Sequence, residues 1–154
     1  MKFKLQIAIE DKHGETCLED VINIEKDIDN GYSSGLSLQE SKNILKVLQQ
    51  KIVLSQAKQY TNLHRACSCC QKQRRIKGHH SIQFKTLFGT VVIPSLRVYH
   101  CSCNDNSEKT FSLLRYWLPE HISPELQYIE TKWASYMGLC GRTSKSGRFL
   151  AGAL

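Results

Sequence analysis

Two cysteine clusters constrain this 154-residue chain more than any other feature: Cys67-Ser68-Cys69-Cys70 and Cys101-Ser102-Cys103, which bracket a basic, β-prone segment. Structural zinc takes four tetrahedral ligands, and a chain supplies four thiolates most easily as two tight knuckles. The spacing nominates Cys67, Cys70, Cys101 and Cys103 as the ligands of one zinc ion. The second pair is closer than the usual two-residue spacing. If residues 100–103 continue an extended strand, however, residues two apart point to the same side, and both thiolates face one metal while His100 and Ser102 face away. A hairpin between the knuckles then brings four sulfurs together without a large core. Metal binding supplies on the order of 10 kcal/mol of folding free energy to such modules, so zinc removal is expected to unfold this one.

The chain has seven cysteines, an odd number, and Met1–Asp11 alternates lysines with apolar residues, unlike a secretory signal. A reducing cytoplasmic setting is therefore expected, with cysteines serving metal binding in preference to disulfides. No stretch approaches the roughly 20 apolar residues of a membrane span. Cys17 and Cys140 stand alone and read as ordinary, part-buried thiols. The net charge of +7 is unevenly placed. Residues 61–115 hold nine Lys/Arg against two Asp/Glu, whereas residues 1–60 hold eight against nine. Basic charge concentrated on one module suits a polyanion, because each neutralised phosphate releases condensed counterions. The alternative is a solvated basic face that balances the acidic N-terminus.

Along the chain, Phe3, Leu5, Ile7 and Ile9 alternate with polar residues, and Leu18, Val21, Ile22 and Ile24 form a second β-prone run after Lys12-His13-Gly14-Glu15. The pair predicts a β-hairpin. Asp27–Gly35 reads as a loop. Ser37-Leu38-Gln39-Glu40 is a capping box opening a helix over about Leu38–Tyr60, with Ile44, Leu45, Leu48, Ile52 and Ala57 along its apolar stripe and Lys42, Lys46 and Lys51 opposite. Two strands follow, near Ser81–Leu87 and Thr90–Tyr99, turned at Phe88-Gly89. Pro94 marks the second as an edge or an interrupted strand. Phe111, Leu113, Leu114, Tyr116, Trp117 and Leu118 form an apolar patch expected to join ribbon to helix. Ser123-Pro124-Glu125 starts a last helix carrying Leu126, Ile129, Trp133 and Met137 at helical spacing. The fold class is thus α+β: an N-terminal β-hairpin and long helix over 1–62, a zinc-ribbon-like β-hairpin with two cysteine knuckles over 63–119, and a C-terminal helix over 120–137. Residues 138–154, glycine-interrupted and without acids, read as a disordered or aberrant tail.

Several blocks carry a family resemblance. They are His64-Arg65, the Cys67/Cys70 knuckle, Arg74-Arg75-Ile76-Lys77-Gly78, Thr86-Leu87-Phe88-Gly89, Arg97-Val98-Tyr99-His100-Cys101-Ser102-Cys103, and Trp117-Leu118-Pro119-Glu120-His121 through Trp133-Ala134-Ser135. Together they resemble the N-terminal region of bacterial insertion-sequence transposases of the ISKra group. Ser68 and Gln71 stand where proline and glycine are common in that knuckle, and Cys69 adds a fifth thiol, an alternative to Cys70 as ligand. The resemblance implies zinc-stabilised binding of DNA, at the element's terminal repeats, through Arg65, Lys72, Arg74, Arg75, Lys77, Lys85 and Arg97. It also implies a bacterial cytoplasmic, nucleoid-associated location, and self-association or pairing with a full-length transposase. Such transposases continue into an RNase H-like domain whose three carboxylates hold two metal ions. The residues here have no room for that sheet, so the chain is expected to be a truncated or frameshifted copy without catalysis.

Two other function classes remain. An architectural zinc ribbon would brace a protein–protein interface through the patch near Trp117. A zinc hydrolase or deaminase would need an open coordination position that four cysteines deny; His64, His79, His80 and His100 are the residues that could replace one of them.

Overall fold

A reciprocal cap at Ser37 opens the longest element of the protein. The Glu40 backbone N–H donates to Ser37 Oγ at 3.2 Å, and Glu40 Oε2 accepts from the Ser37 N–H at 2.7 Å. Two of the orphan donors at the helix start are thereby satisfied. The computed structural model describes residues 1–10, 14–27, 31, 34–103 and 109–137. Within them the helix, α1, runs Leu38–His64, one turn beyond the expected Tyr60. Nothing in Thr61-Asn62-Leu63-His64 breaks a helix, and the chain leaves it only where the first knuckle begins.

The architecture is α+β, as the sequence implied: an N-terminal hairpin, a long helix, a sheet with a four-cysteine cluster, and a C-terminal helix. β1 (Lys2–Glu10) and β2 (Thr16–Glu25) pair antiparallel, with Val21 bulged out between the Leu5–Ile22 and Gln6–Asp20 pairs. Lys12, His13 and most of the expected 27–35 loop lie outside the described residues. So do Cys140 and the whole 138–154 tail. The hairpin is tied to α1 by Lys26–Glu40 at 2.6 Å and Lys51–Glu19 at 2.7 Å. Lys51 is therefore half-buried and paired, not simply solvated like its expected neighbours on that face.

β3 (Ile76–Thr86) and β4 (Gly89–Tyr99) form the second hairpin, and β5 (Thr110–Ser112) adds to the far side of β4. The turn residues are Leu87 and Phe88, one position earlier than expected. Gly89 begins β4 at φ +124°, a region L side chains avoid, and Thr86 Oγ1 donates to its carbonyl at 2.7 Å. β3 also starts earlier than Ser81, because Ile76 and Gly78 already pair with Val98 and Arg97. Pro94 sits in an uninterrupted β4. β5 pairs only with Arg97–Tyr99, so on the side away from β3 the strand is an edge at Pro94, where a missing N–H costs nothing.

Period-2 alternation sends Ile82, Phe84, Val91 and Ile93 to one sheet face, where Val53 and Ala57 of α1 close over them with Leu114 and Leu118. Leu54, Tyr60 and Trp117 pack around this core, Tyr60 and Trp117 with rings stacked at 5.5 Å. Of the expected helix stripe, Ala57 is buried and Ile44 and Leu48 half-buried, whereas Leu45 and Ile52 are about two-fifths exposed and Val53, outside that stripe, is buried. Of the expected joining patch, Leu114, Trp117 and Leu118 pack between sheet and helix, whereas Tyr116 is exposed and Phe111 and Leu113 pack elsewhere. A smaller cluster of Val98, Phe111 and Leu113, flanked by Ile76 and Leu96, lies on the opposite face. α2 (Pro124–Tyr136) starts at Ser123, whose Oγ accepts from Leu126 N–H at 3.3 Å. The preceding residues dock on β3 through Lys85 N–H to His121 O and Ser123 N–H to Lys85 O. Its apolar residues are not buried: Trp133 and Met137 are 63% and 75% exposed.

The cap carries a pH signature. The Lys26 ammonium, then the Ser37 backbone N–H and hydroxyl, hold the Glu40 carboxyl at about 2. A depressed folded-state value stabilises the fold above the ordinary glutamate range, and that contribution is lost as pH falls through the folded value. Glu40→Gln is therefore expected to lower the thermal midpoint at pH 7, with the gap to wild type closing between pH 4.5 and about 2 when followed by circular dichroism.

Candidate metal centre

The first knuckle is built on the stub of α1. Arg65 caps the helix, Ala66 and Gln73 form an isolated antiparallel bridge, and the chain between them turns back tightly. Cys67 N–H donates to Lys72 O and Gln71 N–H to Cys67 O, both at 2.9 Å. Closing that turn puts Gln71 at φ +58°, in the left-handed region. Arg74 locks the arrangement: its Nη1 donates to His64 O at 2.7 Å and to Ala66 O at 3.1 Å, meeting carbonyls left open at the helix end. The same guanidinium lies 5.3 Å from the Phe111 ring centroid, which ties the knuckle to β5.

The second pair is delivered differently from the sequence expectation. β4 ends at Tyr99, and Ser102 and Cys103 lie in a turn, so residues 100–103 are not an extended strand. Tyr99 N–H donates to Arg75 O and His100 N–H to Lys109 O, and the chain then bends toward the first knuckle. A bend serves better than a strand here, because sulfurs two apart on a strand lie too far apart to share one small cation.

The result is a four-thiol cluster. Cys67 Sγ lies 3.4 Å from Cys103 Sγ, Cys70 Sγ 3.3 Å from Cys101 Sγ, and Cys103 Sγ 3.8 Å from Cys70 Sγ. All four sulfurs fall within 4.8 Å of one another. A disulfide needs about 2.05 Å, so these are free thiols. A tetrahedron with metal–sulfur bonds of about 2.3 Å has edges of about 3.8 Å, close to the observed spacings. The donor set fits a tetrahedral, thiolate-binding metal. Cys67 is buried, Cys70 and Cys101 half-buried, and Cys103 exposed.

Backbone N–H groups already favour thiolates at two positions. Those of Cys70 and Cys69 hold the Cys67 thiol down to about 6, and that of Cys103 lowers Cys101. At Cys70 the Lys72 N–H pulls downward, but the Cys101 sulfur and burial leave the thiol raised. Crowding by the Cys101 and Cys67 sulfurs pushes Cys103 well up. Four thiolates this close repel, and a cation at their centre removes the repulsion.

Cys69 is exposed and outside the cluster, as is Cys17, which is not the part-buried thiol expected. Among the described histidines, none joins the four sulfurs. His64 Nδ1 meets Tyr60 O at 2.9 Å with its ring stacked on Tyr60, and His100 packs on Phe111.

The seven nominated cations do not share one surface. Lys72, Arg75 and Lys77 are exposed beside the first knuckle. Arg65 is half-buried, its Nε enclosed without a protein partner, and Arg74 is engaged as described. Lys85 lies one residue from the β3–β4 turn, at the opposite end of the hairpin from the cysteines. Arg97 lies beside β5 and donates from Nε to Thr110 Oγ1 at 3.2 Å. The structural role of Arg74 had no signal in the sequence, where it is one basic residue in a run. No family model matches this sequence, and comparison with curated proteins and with solved structures gave no significant match.

Gln71 makes a test of knuckle strain. A non-glycine residue in the left-handed region costs about 1–2 kcal/mol, partly offset by the unfolded-state entropy a glycine adds. Gln71→Gly is expected to stabilise the metal-loaded chain by up to about 1 kcal/mol in denaturant unfolding. A destabilised variant would show that the Gln71 amide bond to Ser68 O matters more.

Proposed function

We propose that the chain is a zinc-binding, DNA-binding module of the kind that forms the N-terminal portion of ISKra-group insertion-sequence transposases. The observation that carries the reading is the convergence of Cys67, Cys70, Cys101 and Cys103 at near-tetrahedral spacing, with exposed Lys72, Arg75 and Lys77 on the adjoining backbone. Four thiolates at tetrahedral spacing suit zinc, and four protein ligands leave no open position for catalysis. The metal's role is then architectural: it fixes the knuckles from which the cations project. The motif resemblance from His64 to Ser135 supports a duplex target, with terminal repeats of an element as its natural form. Phosphate contacts position such a module, and arginines are the residues suited to reading guanine edges.

A second reading, an architectural zinc protein for protein–protein contact without DNA recognition, draws on α2, which leaves Tyr128, Trp133, Tyr136 and Met137 exposed. The two readings separate on salt. DNA affinity is expected to fall linearly on a log–log salt plot, and Lys72→Ala/Arg75→Ala/Lys77→Ala to flatten the slope by about 0.9 for each phosphate no longer neutralised. Arg74 is left intact in that variant because it holds the helix end. Undiminished DNA binding by the triple variant, or a salt-independent wild type, would contradict the DNA reading.

A further inference from the structure

β5 does more than complete the sheet. By strand alternation, the face that α1 covers at Ile82 and Ile93 continues past the helix to His80 on β3, Arg97 on β4, and Thr110 and Ser112 on β5. With Lys109 and Arg115, which flank β5 in sequence, these side chains line a groove of about 470 Å³. None of the described residues lining it is acidic. Two arginines, a lysine, an imidazole and two hydroxyls thus line one concave site.

Several details shape the site for a small oxyanion. The Arg97 side chain is braced by the Thr110 hydroxyl at 3.2 Å, which fixes the guanidinium without neutralising it. Ser112 Oγ meets buried Ser95 Oγ at 3.0 Å, giving that wall a hydroxyl pair. Phe111, the remaining lining residue, adds no charge. Burial, then the Arg97 charge, disfavour the charged form of His80. Arginine forks and hydroxyl donors suit tetrahedral oxyanions, above all phosphate.

We propose that the groove of His80, Arg97, Lys109, Thr110, Ser112 and Arg115 is a phosphate-binding pocket, distinct from the cysteine centre. The phosphate can be free or part of a nucleic-acid backbone; the chemistry that holds it is the same. The pocket does not depend on the DNA reading, since the cations proposed there to contact DNA include only Arg97 of this set.

The test is a titration of the metal-loaded full chain with inorganic phosphate at constant ionic strength, against chloride, followed by amide and imidazole resonances. Saturable shifts confined to β4, β5 and His80 are expected, with the His80 imidazole titrating at higher pH once phosphate is bound. Arg97→Gln and Thr110→Val are each expected to weaken binding by about tenfold or more, the first by removing a charge-assisted fork and the second by removing the hydroxyl that braces it. Valine matches threonine in shape and favours strands, so the second variant keeps β5 and the full charge. Lys72→Ala/Arg75→Ala/Lys77→Ala is expected to leave phosphate binding unchanged. Diffuse, unsaturating shifts, or an affinity unaltered by Thr110→Val, would overturn the pocket in favour of general screening. A short duplex DNA then identifies the source: displacement of phosphate marks a backbone subsite, and binding without displacement marks a free oxyanion. DNA binding without any phosphate pocket would leave the DNA reading standing and this one refuted; a phosphate pocket without DNA binding would do the reverse.

Discussion

Mutual repulsion among four crowded sulfurs is the interaction on which the rest of this protein turns. The chain holds Cys67, Cys70, Cys101 and Cys103 within 4.8 Å of one another, an arrangement unfavourable for four thiolates until a cation joins them. Both knuckles are held there from outside the cluster. The first hangs on the end of α1 and is clamped by Arg74, whose guanidinium reaches two helix-end carbonyls and the Phe111 ring. The second follows directly from β4 and is set by hydrogen bonds from Tyr99 and His100 to Arg75 and Lys109. Helix, hairpin and β5 therefore meet beside the four-cysteine cluster and together hold its sulfurs close.

The remaining stability lies in a core that α1 shares with the sheet. Val53 and Ala57 cover Ile82, Phe84, Val91 and Ile93, with Ile93 and Leu114 fully enclosed. The N-terminal hairpin contributes less. Its apolar face, at Phe3 and Leu5 with Ile24 and Ile44, lines an open apolar cavity, and ion pairs to α1 do much of the joining. α2 is attached mainly by the short backbone pairing at Lys85 and leaves an aromatic face in solvent. Among the described residues, no helix is long and apolar enough to cross a membrane.

Much of this is legible in the sequence because the signals are local. The capping box at Ser37, the serine–proline start at Ser123, the alternation in β3 and β4 and each of the two cysteine pairs follow from spacing within a few residues. Where sequence and structure part, tertiary context decides. Periodicity puts Leu45 and Ile52 on the helix stripe beside Ala57, which is buried, because an amphipathic pattern does not say which residues at its margins meet the sheet. The β-prone residues before the second cysteine pair suggest a strand there, whereas β4 ends at Tyr99 and the chain turns at Ser102–Cys103. In sequence Arg74 is the equal of its neighbour Arg75, and only the fold shows that one faces helix carbonyls and the other solvent. Nothing local joins Lys109 and Arg115 to His80 and Arg97; the pairing of β5 with β4 does.

The most direct measurement is native mass spectrometry of the purified chain, recording zinc per chain in wild type and in Cys67→Ser and Cys101→Ser. The proposed centre predicts one zinc in the wild type and its loss or severe weakening in both variants, since each removes a ligand from a different knuckle of a single site. A wild-type chain that takes up no zinc, or a zinc retained unchanged in either variant, would contradict it.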